Sequence, residues 1–148
     1  MTSVNNLYEE MNTYLADEIV LGMKIHNFHW FLKGDGFFPI HAELDHFYEA
    51  SQERVDEVAE RILTIDAKPI PSLQAALDAS SIEELGADWI SAKEGFEKLI
   101  VDFEHMNRSA IRLVKLAEEV EDPATADYFT SVSAELGKNL WMFKSYIR

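Results

Sequence analysis

A chain of 148 residues, 47% hydrophobic and without cysteine, can bury one core without disulfides and has no thiolate to hold a metal. Twenty-seven acidic residues against 13 basic ones give a formal charge of -14, which suits attraction of cations or plain solubility and disfavours a surface that grips phosphates. No apolar run approaches the roughly 18 residues that span a membrane, and Met1 to Leu7 lack the basic and apolar regions of a secretion signal, so a cytoplasmic protein of one domain, residues 1–148, is expected.

The pattern is all-helical, with four prolines and six glycines lying mostly between periodic segments. A first helix is expected from Asn5 to Leu32, broken by Lys33-Gly34-Asp35-Gly36. A second starts near Pro39, tolerated in a first turn. Its apolar stripe of Ile40, Leu44, Phe47, Ser51, Val55, Val58 and Ile62 steps by three and four. Pro69 and Pro71 stop it. A short helix is expected over Ser72 to Ala79, and Ser81-Ile82-Glu83-Glu84 has the pattern of a capping box. A third long helix spans Asp88 to Val120. Asp122-Pro123 then opens a fourth that reaches Tyr146. Four long helices with one long middle connection carrying a short helix predict a four-helix bundle of the ferritin-like kind.

Beside its apolar stripe the second helix carries another: His41, Asp45, Glu49, Gln52, Asp56 and Glu60. His41 and Asp45 share a face, as do Asp56 and Glu60, and such pairs chelate divalent cations. Charged flanks of a core helix are also common and usually solvated. The stripe is expected at a packed boundary. Asp45 and Asp56 are separated by about 16 Å along a helix, so the two pairs cannot share one ion within a chain. The usual ferritin-type site needs two Glu-x-x-His motifs. Only Glu43/His46 has that spacing, on the outer face, and the fourth helix has no histidine. Antiparallel packing of the second helix on a two-fold mate brings the His41/Asp45 end of one chain to the Asp56/Glu60 end of the other, twice per dimer. His29 is positioned to complete the set.

The segment His26-Asn27-Phe28-His29-Trp30, then Gly34, Phe37-Phe38, His41, Asp45 and Asp56-Glu57-Val58-Ala59-Glu60-Arg61 resembles the signature of the Dps family, the mini-ferritins. Trp141-Met142-Phe143-Lys144 resembles that family's fourth-helix end. The resemblance implies ferroxidase ligands at His29, His41 and Asp45 from one subunit and Asp56 and Glu60 from its mate. It further implies hydrogen peroxide as the favoured oxidant, ferric mineral stored in a hollow twelve-subunit shell, and protection against oxidative stress. Carboxylate and imidazole suit iron, with zinc and manganese as competitors.

Trp30, beside His29, is implied as an electron donor near the iron, with simple packing as the other reading; Trp141 is a lesser candidate. His26, three residues before His29 on the same helix, reads either as a support for the metal ligands or, preferentially, as a core histidine with satisfied polar atoms, His46 and His105 as surface or boundary residues without a partner, and Arg61 as an ion-pair residue. Glu118, Asp122 and Asp127 match a region where similar proteins line an ion-entry pore with carboxylates, beside which stands ordinary helix capping by Asp122. The family's Lys-rich DNA-binding tail has no counterpart in Met1 to Asn6 or after the fourth helix, so DNA binding is not expected. The alternatives are a DNA-compacting nucleoid protein with little enzymatic role and an acidic bundle that only binds partners.

Overall fold

The computed structural model describes residues 3–148. The elements run α1 (Ser3–Phe31), β1 (Leu32–Lys33), α2 (Phe37–Thr64), α3 (Leu73–Ala79), β2 (Ile90–Ser91), α4 (Ala92–Glu119) and α5 (Pro123–Ile147). The four long helices form a bundle in which α1 packs on α2 and α4, and α4 on α5, while α3 lies against α1 within the long connection. No described helix is long and apolar enough to cross a membrane.

Steps of three and four explain the bundle. Leu7, Met11, Tyr14, Leu21, Ile25 and Phe28 of α1 are buried, as are Phe96, Leu99, Phe103, Met106, Ala110 and Leu113 of α4, and each set makes one apolar seam. The α1 seam has a charged member, Glu18, between Tyr14 and Leu21. The α2 seam of Leu44, Ser51, Val58 and Ile62 has another, Arg54, and both are buried.

Close packing shows at Gly95 of α4. A Cβ there would stand 2.1 Å from two Phe28 ring carbons, and Phe28 is fully buried with Phe96 against its edge at 5.3 Å. Gly95→Ala is therefore expected to destabilise the fold by about 1–3 kcal/mol through overpacking. That outweighs the helix propensity of about 1 kcal/mol gained from removing glycine; a lower urea midpoint is the check.

Three boundaries differ from the sequence expectation. The fold is the expected all-α bundle, with one added feature: Leu32 and Lys33 pair in parallel with Ile90 and Ser91, tying the end of α1 to the start of α4. The third long helix begins at Ala92, not Asp88. Its N-cap is Ser91, whose Oγ accepts from Glu94 N at 3.2 Å. Ser81 starts no helix: its Oγ lies 3.3 Å from His105 Nε2 and its N–H donates at 2.8 Å to the buried Asp17 carboxylate. That carboxylate also accepts from Ser80 Oγ and bonds His105 Nε2, both at 2.8 Å. Residues 80–82 are thus pinned to α1 instead of coiling. The same bond corrects the expectation that His105 lacks a partner.

Candidate metal centre

The α1–α2 turn sets the site. Gly34 and Gly36 have φ of 94° and 78°, values that glycine adopts without the steric cost borne by other residues. They fold the chain back so that His29, near the end of α1, lies beside His41, in the second turn of α2. The rings stack with centroids 3.7 Å apart and planes 13° from parallel. His29 Nδ1 lies 2.7 Å from the His41 carbonyl oxygen, and His41 Nδ1 lies 2.9 Å from the His29 carbonyl oxygen. A carbonyl only accepts, so each Nδ1 carries the proton and donates. His41 thereby satisfies one of the orphan carbonyls at the end of α1. In each neutral ring the lone pair then falls on Nε2, the arrangement in which imidazole binds a metal. Neither Nε2 makes a hydrogen bond among the described residues. Phe37 stacks on the His41 ring, with centroids 5.0 Å apart.

Asp45 follows His41 by one turn and is exposed, as are Glu49, Gln52, Asp56 and Glu60. This corrects the expectation of a packed boundary: within one chain the carboxylate stripe faces outward, because the α1–α2 contact turns Leu44, Ser51, Val58 and Ile62 inward. The structure brings His29, His41 and Asp45 to one end of α2 and leaves Asp56 and Glu60 toward the other. Among the described residues no group of three or more His, Asp or Glu side chains is placed to hold an ion within one chain.

The ferritin-like domain model matches residues 8–148. The DNA protection during starvation protein 2 of Bacillus anthracis is 36% identical over 140 residues, covering 94% of each chain. A Dps crystal structure from Bacillus brevis superposes with a TM-score of 0.94 at 32% identity, covering 100% of this chain and 99% of the other. The chain belongs to the Dps family of ferritin-like proteins. A further Dps structure, from Vibrio cholerae O1, has a TM-score of 0.94 at 30% identity over 99% of this chain and 92% of its own. It is described as a member of a broad superfamily of ferritin-like diiron-carboxylate proteins.

Other residues that the Dps resemblance singles out are placed as follows. Trp30 and Trp141 are 52% and 61% exposed, so core packing does not explain either within a chain. Trp30 lies 4.8 Å from the His26 ring. His26 is not in the core. It is half-buried, stacked face to face on Tyr48 at 3.5 Å and 3°, with Nε2 3.9 Å from Asp45 Oδ1. Its pKa is lowered by burial and by neighbouring His29, against the pull of Asp45. Arg61 forms no ion pair among the described residues. Asp122 caps α5, its Oδ1 accepting from Thr125 N at 3.1 Å. Glu118 and Asp127 are exposed on either side of the α4–α5 turn and line different surface depressions.

Sequence reasoning missed the buried ion pair behind the site. Arg54 Nε donates to Glu18 Oε1 at 2.7 Å and Nη1 to Glu135 Oε1 at 3.0 Å. Tyr14 and Ser51 hydroxyls donate to the same Glu18 carboxylate at 3.0 and 2.8 Å. The signal was available: Arg54 lies three residues after Ser51 and four before Val58, at a core position.

Proposed function

We propose that the chain is a ferroxidase and iron-storage protein that oxidises ferrous iron at a site shared across a two-fold axis. One subunit supplies His29, His41 and Asp45; its mate supplies Asp56 and Glu60. The observation that carries this reading is the reciprocal clasp of His29 and His41. It fixes both Nδ1 atoms as donors, so each Nε2 is the nitrogen left to meet an ion, and Asp45 follows His41 by one exposed turn of α2.

Iron is the substrate here, and the ligand chemistry accounts for its turnover. Imidazole and carboxylate accept ferrous iron, and carboxylate holds the harder ferric product. Two ferrous ions bound together supply the two electrons that, with two protons, reduce hydrogen peroxide to two waters, so no hydroxyl radical is released. The net charge of -14 raises the local concentration of cations, and Glu118, Asp122 and Asp127 are proposed as an entry pore in a twelve-subunit shell. Zinc and manganese compete for the same ligands. The protein is proposed to work in the cytoplasm against oxidative stress. A DNA-compacting role, suggested by the names of the relatives, fits the charge poorly, since 13 cationic side chains face 27 carboxylates.

The test is anaerobic ferrous loading followed by peroxide or oxygen, with oxidation followed optically. Rapid stoichiometric oxidation is expected in the wild type, with at least a ~100-fold slower rate in Asp56→Ala, of the order expected when a metal-dependent step loses its ligand. Equal rates in the two proteins would remove the site.

A further inference from the structure

His26 is fixed by stacking rather than by hydrogen bonds to its own helix. It sits one turn before His29 on α1. Tyr48 of α2 covers one face at 3.5 Å, nearly parallel, and the Trp30 and His29 rings lie 4.8 and 5.6 Å away. Ring contacts of this kind hold the plane of an imidazole. The edge left free carries Nε2, and it faces Asp45 Oδ1 at 3.9 Å. This distance is within ion-pair range and a small rotation short of a hydrogen bond. Asp45 needs such a restraint: its side chain is 51% exposed, and an exposed carboxylate loses rotamer freedom when it binds an ion.

On the reading of the site given above, we infer that His26 is a positioning residue that donates from Nε2 to Asp45 Oδ1, turning the other carboxylate oxygen toward the ion held by His29 and His41. Tyr48 acts one step further out, as the platform that keeps the His26 edge aimed at Asp45. Groups that hydrogen-bond a ligating carboxylate fix its orientation, and their loss commonly weakens metal binding by about 10–100-fold. His26 itself binds no ion in this scheme. Its contribution is to restrict Asp45 before the ion arrives.

The experiment uses the assembled full chain and cobalt(II) under anaerobic conditions, since cobalt is not oxidised there and its visible d–d bands report its ligands. His26→Phe keeps a ring on Tyr48 but removes the N–H. It is expected to bind cobalt about 10-fold more weakly, with altered d–d bands and an unchanged thermal midpoint and assembly size. His26→Gln returns an N–H donor near the Nε2 position and is expected to recover affinity to within about 3-fold of wild type. Tyr48→Leu, which frees the imidazole without deleting it, is expected to weaken binding in the same direction.

Wild-type cobalt affinity and bands in both His26→Phe and Tyr48→Leu would overturn the inference. So would a His26→Gln protein as weak as His26→Phe, because the N–H would then not matter. If Asp56→Ala leaves wild-type cobalt binding untouched, the shared site itself fails and this inference falls with it. A site lost in Asp56→Ala but indifferent to His26 would sink the positioning role alone.

Discussion

Arg54→Ala is expected to lower the unfolding free energy by about 3–5 kcal/mol, a large part of the stability of a domain this size. The Arg54 side chain is 3% exposed and that of Glu18 is fully buried. The Glu18 carboxylate has three partners: Arg54 Nε and the hydroxyls of Tyr14 and Ser51. Removing the guanidinium leaves a buried negative charge held only by neutral donors, and this desolvated carboxylate is what costs stability. Burial alone would make the guanidinium easier to deprotonate. Glu18, Tyr14 and Glu135 outweigh that and raise its pKa, so Arg54 stays charged. The same surroundings keep Tyr14 protonated, its pKa raised by burial and by Glu18. The pair's geometry does not make it a net stabiliser over an apolar core. Glu18→Leu combined with Arg54→Leu is expected to be near neutral or stabilising. Linear extrapolation of urea unfolding on the three proteins separates the cases. A loss below about 1 kcal/mol in Arg54→Ala would mean that water reaches Glu18 in the folded state.

That pair also shows what a sequence reveals and what it hides. The apolar stripe of α2, its end ahead of the Asp66 to Pro71 segment and the Asp122-Pro123 start of α5 were legible, because each is a local rule of spacing or backbone chemistry. Arg54 and Glu18 obey the spacing rule too, yet each is polar. Recognising them as core residues required knowing that two helices present opposite charges at the same level. The false capping box at Ser81 failed for a similar reason. Its N–H is taken by Asp17, distant in sequence by 64 residues, and a long-range acceptor in the core overrides a local propensity. The parallel pairing of Leu32 with Ile90 lacked any sequence mark, since two residues are too few for a periodic signal. At the α1–α2 turn, the twelve-residue spacing of His29 and His41 was readable. Their mutual Nδ1-to-carbonyl bonds were not, because these depend on the left-handed turn at Gly34 and Gly36. Nor was the outward aim of the carboxylate stripe, which is set by which face of α2 meets α1.

The proposed two-fold sharing of ligands makes a sharp prediction about mixed assemblies. His41→Ala and Asp56→Ala proteins, each assembled alone, are expected to oxidise ferrous iron at about 1% of the wild-type rate or less, since every site lacks a ligand. Mixed in equal amounts as unfolded chains and refolded together, they form dimers at random, so about half pair one variant with the other. In such a dimer one site receives both defects. The other receives His29, His41 and Asp45 from the Asp56→Ala chain and Asp56 and Glu60 from the His41→Ala chain, and is therefore intact. About a quarter of all sites are restored, and the rate should rise to about a quarter of wild type from two nearly inactive parents. A site built within one chain gives no such rescue, because every chain then carries its own defect into its own site. Pairing His41→Ala with His29→Ala is the internal control: both defects fall in the same half-site, every dimer has two damaged sites, and no activity should return. Recovery in the control would mean that one histidine suffices. Its absence in both mixtures, with assembly intact, would exclude the two-fold sharing of ligands.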